Sequence, residues 1–200
     1  MKILPTYPTN EAQEIDEALN ILELTIRLET GFRYEFINHK CFESNMEINK
    51  NTNSIFNDNY HAGKNPVLKN RFRNLVLTAI GTASSALDKA LDKKFGNKNP
   101  EDHSQVGSIR NIIYMIRCAF THDPCNPTWI CYEKYQKKPY ALTIDKSVSK
   151  RIIFAENSSQ TLNFEYDFEK LTDTSVNFKH FHALDGFFLL AEYAHTLVSN

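Results

Sequence analysis

Arg117 and His122 stand five positions apart and combine two kinds of chemistry. The guanidinium of an arginine is always charged and binds phosphate oxygens in a bidentate manner. The imidazole of a histidine gains or loses a proton near neutral pH and suits general acid–base catalysis. Together the two side chains could hold a phosphate and transfer a proton beside it.

The spacing of the two side chains restricts how they can meet. Five helical steps turn a side chain by roughly 140° and carry it about 7.5 Å along the axis, so the pair diverges on one continuous helix. The two groups converge if the helix ends near Phe120 or Thr121 and His122 folds back, or if a second copy of the segment faces the first. Pro124 predicts the helix end, because it disfavours helical geometry at Asp123.

The segment from Arg117 to Pro124 has the sequence Arg-Cys-Ala-Phe-Thr-His-Asp-Pro. It resembles the signature of the HEPN superfamily, whose helical-bundle domains carry an Arg followed four to six residues later by a His. Pro127 and Trp129 extend the resemblance, because one branch of the family has similar residues shortly after the His. Many members are metal-independent endoribonucleases, often toxins or anti-phage effectors, and work as dimers in which the two motifs meet across the interface.

The resemblance implies a homodimer that cleaves RNA, needs no cofactor or metal, and is restrained by an antitoxin or another regulatory protein. Arg117 and His122 would be its catalytic residues. His122 would take the proton of the substrate 2′-hydroxyl and Arg117 would stabilise the charge on phosphorus, which gives a 2′,3′-cyclic phosphate. The end of a helix also favours a positively charged imidazole, so acid and cationic stabiliser stay open as roles of His122.

Cys118 leaves two further interpretations open. Family nucleases usually have Asn, Asp or His directly after the Arg, so the chain could be a catalytically inactive HEPN-like module that binds RNA or protein. Alternatively, the protein is an unrelated helical one. Arg117 would then pair with an acidic residue such as Glu29 or Asp123, and His122 would cap its own helix.

Six further residues are predicted to contact the substrate. Three precede the motif on the same helix at spacings of one or two turns, and three form a basic cluster near the start of the preceding helix. They are Arg110, Asn111 and Tyr114, and Lys69, Arg71 and Arg73. A second cluster at the end of that preceding helix could equally hold phosphate, and consists of Lys89, Lys93, Lys94 and Lys98.

Composition limits the classes of function. The 200 residues carry a net charge of −1 and a pI of about 6.7, so RNA binding requires a local basic patch. The start of the chain lacks an apolar signal-peptide core and no segment approaches roughly eighteen apolar residues, which predicts a cytoplasmic protein without a membrane span. The four cysteines are expected to be free thiols. Cys118, His122, Cys125 and Cys131 lack the Cys-x2-Cys spacing of structural zinc sites.

Helical periodicity and capping residues predict four main helices in one domain over residues 1–200. The first runs from Thr9 or Asn10 to about Glu29, ended by Gly31, and the second from Asn65-Pro66 to about Phe95, ended by Gly96. The third begins after Ser104 or Ser108, and the last runs from about Phe181 to the C-terminus. Between the first two lies a long Asn-rich connection, residues 31–65, in which lone hydrophobic residues are expected to anchor short helical turns.

An insertion over residues 128–170 has the alternating pattern of short strands. The predicted strands are 129–132, 140–144, 151–155 and 162–168. The fold is therefore predicted as mainly α: a HEPN-like bundle of four main helices with a small antiparallel β-sheet inserted between the third and last helices.

Overall fold

The computed structural model describes residues 10–37, 46–49, 54–56, 65–155 and 158–199 of the chain. The protein is mainly helical with small antiparallel sheets, which confirms the predicted fold class. The long helices are α1 (Glu11–Arg33), α2 (Asn65–Phe95), α3 (Gln105–His122) and α5 (Ala183–Ser199), and α4 (Phe168–Leu171) is a single turn. No helix in these ranges is both long enough and apolar enough to cross a membrane.

The first helix begins as predicted and ends later. The side chain of Asn10 accepts a hydrogen bond from the Gln13 amide at 2.9 Å, which caps the start. Gly31, the predicted end, lies inside the helix. A Cβ there would come within 2.9 Å of Ile37, whose amide donates to the Gly31 carbonyl at 3.0 Å. The glycine therefore makes room for the chain to fold back onto the helix.

Helices α2 and α3 form a tight antiparallel hairpin. Gly96, with φ of 76°, follows α2, and Ser104 caps α3 by accepting a hydrogen bond from the Gly107 amide at 3.0 Å. Gly81 touches Phe120, since a Cβ at Gly81 would lie 3.0 Å from the Phe120 Cβ. The small residue therefore allows the two helices to approach each other closely.

The core lies between the four long helices and one face of the inserted sheet. The stripe of apolar residues on α1 is buried, with Ile15, Leu19 and Leu22 at 0% exposure. On α5 the buried residues run continuously from Gly186 to Ala191, on every side of the helix. Each fully buried Leu, Ile or Phe contributes roughly 1.5–3 kcal/mol to folding.

The inserted sheet pairs β3 (Tyr140–Asp145) with β4 (Thr161–Tyr166), from Tyr140 opposite Tyr166 to Asp145 opposite Thr161. Alternate side chains face the core and confirm two of the four predicted strands. The other two predictions are wrong. Residues 151–155 form no strand, and near 129–132 there is only an isolated bridge between Thr128 and Ser175.

A second strand pair lies within the connection over residues 31–65. There β1 (Met46–Asn49) pairs antiparallel with β2 (Ser54–Phe56), where short helical turns were expected. The sequence Met-Glu-Ile-Asn alternates apolar and polar residues, but over too few positions to stand out from the surrounding asparagines. The rest of that expectation falls on residues 38–45, 50–53 and 57–64, outside the described residues.

Candidate functional site

The third helix carries Arg117 and continues through His122. The next residue, Asp123, has extended geometry with φ of −146° and precedes the predicted stop, Pro124. The prediction that Pro124 keeps Asp123 out of the helix is confirmed; the helix does not end at Phe120 or Thr121, and His122 does not fold back. The two side chains leave one continuous helix roughly 140° apart. Of the two routes by which they could meet, only the facing second copy is compatible with this helix.

The turn after the helix is fixed by the carboxylate of Asp123. Its Oδ1 accepts hydrogen bonds from the amides of Cys125 and Asn126, both at 3.1 Å. Such a turn mimics a backbone turn with a side chain. Asp123 is therefore engaged by its own backbone and is not the acidic partner of Arg117.

A short ladder connects the segment after the motif to a distant part of the chain. The amide of Trp129 donates to the Thr174 carbonyl at 2.9 Å, and the amides of Asp173 and Val176 donate to the carbonyls of Trp129 and Pro127, both at 2.8 Å. Pro127 and Trp129, the residues that extend the family resemblance, thus anchor the motif to residues 173–176.

The Trp129 side chain is completely buried in an aromatic cluster with Tyr166, Phe168 and Phe181. Its indole Nε1 donates to Nδ1 of His180 at 3.0 Å. The side chain of His180 also accepts a hydrogen bond from the backbone amide of Asn177, in the capping box of the short 3-10 helix Phe178–Phe181. Burial lowers the pKa of His180. Because Nδ1 accepts the indole hydrogen bond, the imidazole is neutral in this arrangement.

Arg117 is held at one side and open at the other. Its Nη1 lies 3.4 Å from Oδ2 of Asp88 on α2, and its side chain is 41% exposed while that of Asp88 is 7% exposed. Lys98 Nζ lies 3.0 Å from the other oxygen of Asp88. Burial raises the pKa of Asp88, and Lys98 and Arg117 oppose that effect without cancelling it. The acidic partner of Arg117 is therefore Asp88, instead of Glu29 or Asp123.

His122 is exposed and has no hydrogen-bond partner within the described part of the chain. It does not bond a carbonyl of its own helix there, as the capping interpretation requires. The neighbouring Thr121 Oγ1 donates to the Arg117 carbonyl at 2.7 Å. Because the His122 imidazole is exposed and unpaired there, it can reach a ligand at the helix end.

Arg110 and Asn111, predicted to contact the substrate, are buried at 7% and 1% exposure. The guanidinium of Arg110 donates to the Gly96 carbonyl and lies 3.6 Å from Asp92. The side-chain amide of Asn111 donates through Nδ2 to the Asn99 carbonyl at 3.0 Å. Both side chains hold the turn between α2 and α3, and because they are buried they cannot contact RNA.

Tyr114 is half-buried beside the motif. Lys98 Nζ lies 4.8 Å from the centre of its ring, and the ring of Tyr135 is at 5.5 Å. Burial raises the pKa of the Tyr114 hydroxyl and the pKa of the Cys118 thiol, one turn further along the helix. One edge of the ring borders an open hollow with Tyr132, Glu133 and Lys134. Of the three predicted contacts on α3, Tyr114 alone borders a surface hollow.

The basic cluster at the start of α2 lies at the motif end of the hairpin. Lys69, Arg71 and Arg73 are all exposed. Lys69 and Arg73 are four positions apart and share one face of the helix, whereas Arg71 lies on the other side. Arg73 borders a cavity that also touches Phe120 and Cys125. The helix hairpin therefore brings this cluster to the motif.

The lysine cluster at the other end of α2 is engaged in ion pairs. Lys89 pairs with Glu14 at 2.9 Å, and Lys93 pairs with Glu11. Both glutamates lie on α1, so these pairs join α2 to α1. Lys98 is 10% exposed and pairs with Asp88 and Asp92. Only Lys94 of that cluster is exposed without an ion pair among the described residues. This end of α2 holds the bundle together.

The outer face of α2 beside the motif is smooth. The hydroxyls of Thr78, Thr82 and Ser85 donate to carbonyls of their own helix at 2.9, 3.0 and 2.9 Å. A shallow hollow runs from these residues to Thr121 and Pro124. Small side chains with internally satisfied hydroxyls allow another helix to approach closely.

A cavity of about 250 Å³ lies between α2, the end of α3 and residues 175–178. Its walls include Leu77, Phe120 and Phe181, and its rim includes Arg73 and Asn126. It was not anticipated from the sequence, because its two sides lie about fifty positions apart in the chain. In the sequence, the one indication of this cavity was that Pro127 and Trp129 alternate with the polar residues Asn126 and Thr128.

Comparison of the chain with protein-family models, with curated proteins and with solved structures found no match. Among the residues that the structure describes, no group of three or more His, Cys, Asp or Glu side chains could hold a metal ion. The functional interpretation therefore depends on the geometry around Arg117 and His122.

Proposed function

We propose that the protein is a HEPN-type endoribonuclease that cleaves RNA without a metal, at a cleft between two copies of the chain. The observation that carries this proposal is the environment of Arg117. Its guanidinium is held by the buried carboxylate of Asp88 and stays 41% exposed, on the helix whose last residue is the exposed His122. A fixed cation and an accessible imidazole at one helix end are the two groups that this reaction needs.

In the proposed reaction the 2′-oxygen of the substrate attacks phosphorus, and the bond from phosphorus to the 5′-oxygen breaks. One His122 imidazole takes the proton of the 2′-hydroxyl, and the His122 of the second copy gives a proton to the leaving 5′-oxygen. Arg117 holds the non-bridging phosphate oxygens, whose charge grows in the transition state. The products are a 2′,3′-cyclic phosphate and a 5′-hydroxyl.

The need for a second copy follows from the helix. Because α3 continues through His122, the two side chains of one chain point roughly 140° apart. The smooth face of α2 with Thr78, Thr82 and Ser85 adjoins Thr121 and Pro124, and offers a surface on which a second copy can pack. We further propose, from the family resemblance alone, that the enzyme is a cytoplasmic toxin or anti-phage effector restrained by an antitoxin or regulatory protein.

Cys118 favours a second candidate, an inactive HEPN-like module that binds RNA or protein. Its thiol is buried, and burial raises its pKa. It is therefore neutral and supplies no charge beside Arg117, where family nucleases usually have a polar group. The proposed enzyme works with Arg117 and His122 alone.

The test compares the wild-type protein with His122→Ala on total RNA in EDTA. We expect fragments with 2′,3′-cyclic phosphate ends from the wild type and none from the variant. Asn97→Ala, an exposed substitution in the turn between α2 and α3, serves as the control and should cleave like the wild type. Equal RNA patterns from wild type and His122→Ala, without cyclic ends, would reject the enzyme. A gel shift with the same RNA would then test the binding module.

The oligomeric state gives an independent test. Light scattering after size-exclusion chromatography should give twice the mass of the 23.1 kDa chain. Thr82→Arg places a long cation on the smooth face of α2 and should shift the protein towards the monomer with loss of cleavage. A wild-type monomer at micromolar concentration would contradict the composite cleft.

A further inference from the structure

The geometry points to a nucleobase subsite: we propose that the cavity beside the motif binds one base of a single-stranded RNA next to the cleaved phosphate. This inference rests on the proposed function, because it assigns the substrate class of the same site. Apart from Phe120 and Pro127, the residues that line the cavity belong neither to the motif nor to the family resemblance.

The size of the cavity suits a single base. About 250 Å³ is enough for one planar ring system. It is smaller than the roughly 300–1,000 Å³ of pockets that take drug-sized ligands. A folded helix or a peptide segment does not fit into it, whereas one unstacked base does. A base within a duplex could not enter, so the substrate is single-stranded at this point.

The lining has the chemistry by which proteins hold single-stranded RNA. The inner wall consists of the almost completely buried Leu77, Phe120 and Phe181, and the half-buried Val176 and Phe178 present apolar surface to the cavity. Polar residues, including Ser175 and Asn177, complete the lining. Proteins bind single RNA bases by stacking on aromatic side chains and by hydrogen bonds to the base edges. At the rim, the Asn126 side chain has no hydrogen-bond partner among the described residues, so its amide can bind the edge of a base.

The cavity lies at the end of α3. Phe120 and Cys125 line it, and His122 stands between them in the sequence without lining it. Arg73 at the rim is exposed and has no ion-pair partner within the described ranges. A base in the cavity would therefore have a cation for its phosphate at the rim, with the end of α3 beside it.

Cys125 provides a direct measurement that does not depend on cleavage. It is exposed and lines the cavity, whereas Cys118 and Cys131 are buried. Burial raises the pKa of Cys131 to about 12, so these two thiols react slowly. Cys41 lies outside the described residues and is replaced by Ser in the tested protein.

The rate at which a maleimide modifies Cys125 is then measured with each of the four nucleoside 5′-monophosphates. Ribose 5-phosphate is the control that lacks a base. We expect at least one nucleotide to slow modification threefold or more and ribose 5-phosphate to leave the rate unchanged. Equal protection by ribose 5-phosphate, or protection by none of the nucleotides, would overturn the subsite.

Asn126→Ala tests the same subsite during cleavage, with Asn97→Ala as the matched control. Asn97 is an exposed asparagine in the turn at the far end of the hairpin. On a pool of random single-stranded RNA, we expect Asn126→Ala to reduce the base preference at the cut threefold or more. Asn97→Ala should keep the wild-type preference. An unchanged preference in Asn126→Ala would count against the subsite.

The two experiments separate this inference from the proposed function. Cleavage that depends on His122, together with absent base protection and unchanged preference in Asn126→Ala, would reject the subsite and keep the nuclease. Base-specific protection of Cys125 without any cleavage would keep the subsite, reject the nuclease, and favour the RNA-binding module.

Discussion

The two ends of the α2–α3 hairpin contain similar charged residues and use them differently. At the turn end, Lys98 and Arg110 are at most 10% exposed at their side chains, and both contact Asp92. At the open end, the motif end where α2 begins and α3 ends, Arg73 and His122 are exposed without partners among the described residues. Arg117 lies between these extremes, with one side held by Asp88 and the other in solvent. Residue type alone thus does not separate the charges that stabilise the bundle from those that can reach a ligand.

Substitution of Arg117 should have the largest effect. Arg117→Ala removes the proposed phosphate ligand, and loss of one such group costs on the order of 100-fold in rate. Its half-exposed ion pair contributes little to folding, about 0–1 kcal/mol, so the thermal midpoint should hardly change. Cleavage rate and thermal midpoint are measured together. A large fall in the midpoint with unchanged rate per folded molecule would place Arg117 with the residues of the turn end.

Asp88→Asn tests whether the carboxylate serves the open end or the turn end. The raised pKa of Asp88 means that its ionised form costs folding free energy: that cost is absent below the pKa of the unfolded chain and appears as pH rises through the pKa of the folded state. The amide should therefore leave stability at pH 7 within about 1 kcal/mol or increase it. Without the charge that holds Arg117, cleavage should fall about tenfold, roughly 1.4 kcal/mol.

The measurements for this variant are kcat, KM and urea unfolding at pH 7. A loss mainly in kcat with preserved stability fits a residue that positions Arg117. Strong destabilisation with normal kcat would instead mean that Asp88 belongs to the structural network with Lys98. Asp88→Glu, which keeps the charge, should recover part of the lost rate.

Arg110→Met should show the opposite behaviour. It removes the contacts with the Gly96 carbonyl and Asp92 that hold the turn, while its apolar chain still covers Phe95. We expect a loss of about 1–3 kcal/mol, as for other buried hydrogen-bonded groups. For a chain of this size that lowers the thermal midpoint by about 2–4 °C per kcal/mol. Activity per folded molecule should stay at the wild-type level, and a selective loss of RNA binding would contradict the comparison.

The smallest expected effect concerns pH and His180. Its pKa in the folded state is lowered by burial, so its contribution to stability is complete above the pKa of the unfolded chain and is lost as pH falls below it. Between pH 7 and pH 5.5 the wild type should lose more unfolding free energy than His180→Asn, whose amide oxygen can also accept from Trp129 Nε1. Urea titrations at both values measure this. Parallel losses would show that the hydrogen bond with Trp129 does not control acid stability.

Local signals in the sequence predicted much of the framework. The caps at Asn10 and Ser104, the stop at Gly96 and the alternation over residues 140–144 depend on neighbouring positions only, and all four are observed. The motif was also found locally, and α3 ends at His122, directly before the Asp123-Pro124 pair that predicted the stop.

What the sequence did not predict depends on distant contacts. Asp88 lies 29 positions from Arg117, and only the packing of α2 on α3 selects it over nearer carboxylates. Arg110 has the spacing of an exposed partner of Arg117 but is covered by the turn that it binds. Residues 151–155 contain two isoleucines and a phenylalanine, residue types that favour strands, yet Arg151 pairs with Glu192 at 3.3 Å and with Asp16 at 3.3 Å on two helices. Long-range ion pairs thus override local preference.

The ladder that fixes the residues after the motif has a consequence for biosynthesis. Trp129 reaches its hydrogen-bond partner His180 across 51 positions of sequence, so the contacts that hold the segment after His122 form only once His180 has been synthesised. A growing chain on the ribosome contains both motif residues before it contains their support. For an enzyme with the proposed activity, we expect this order to delay RNA cleavage until residues 173–180 have been added.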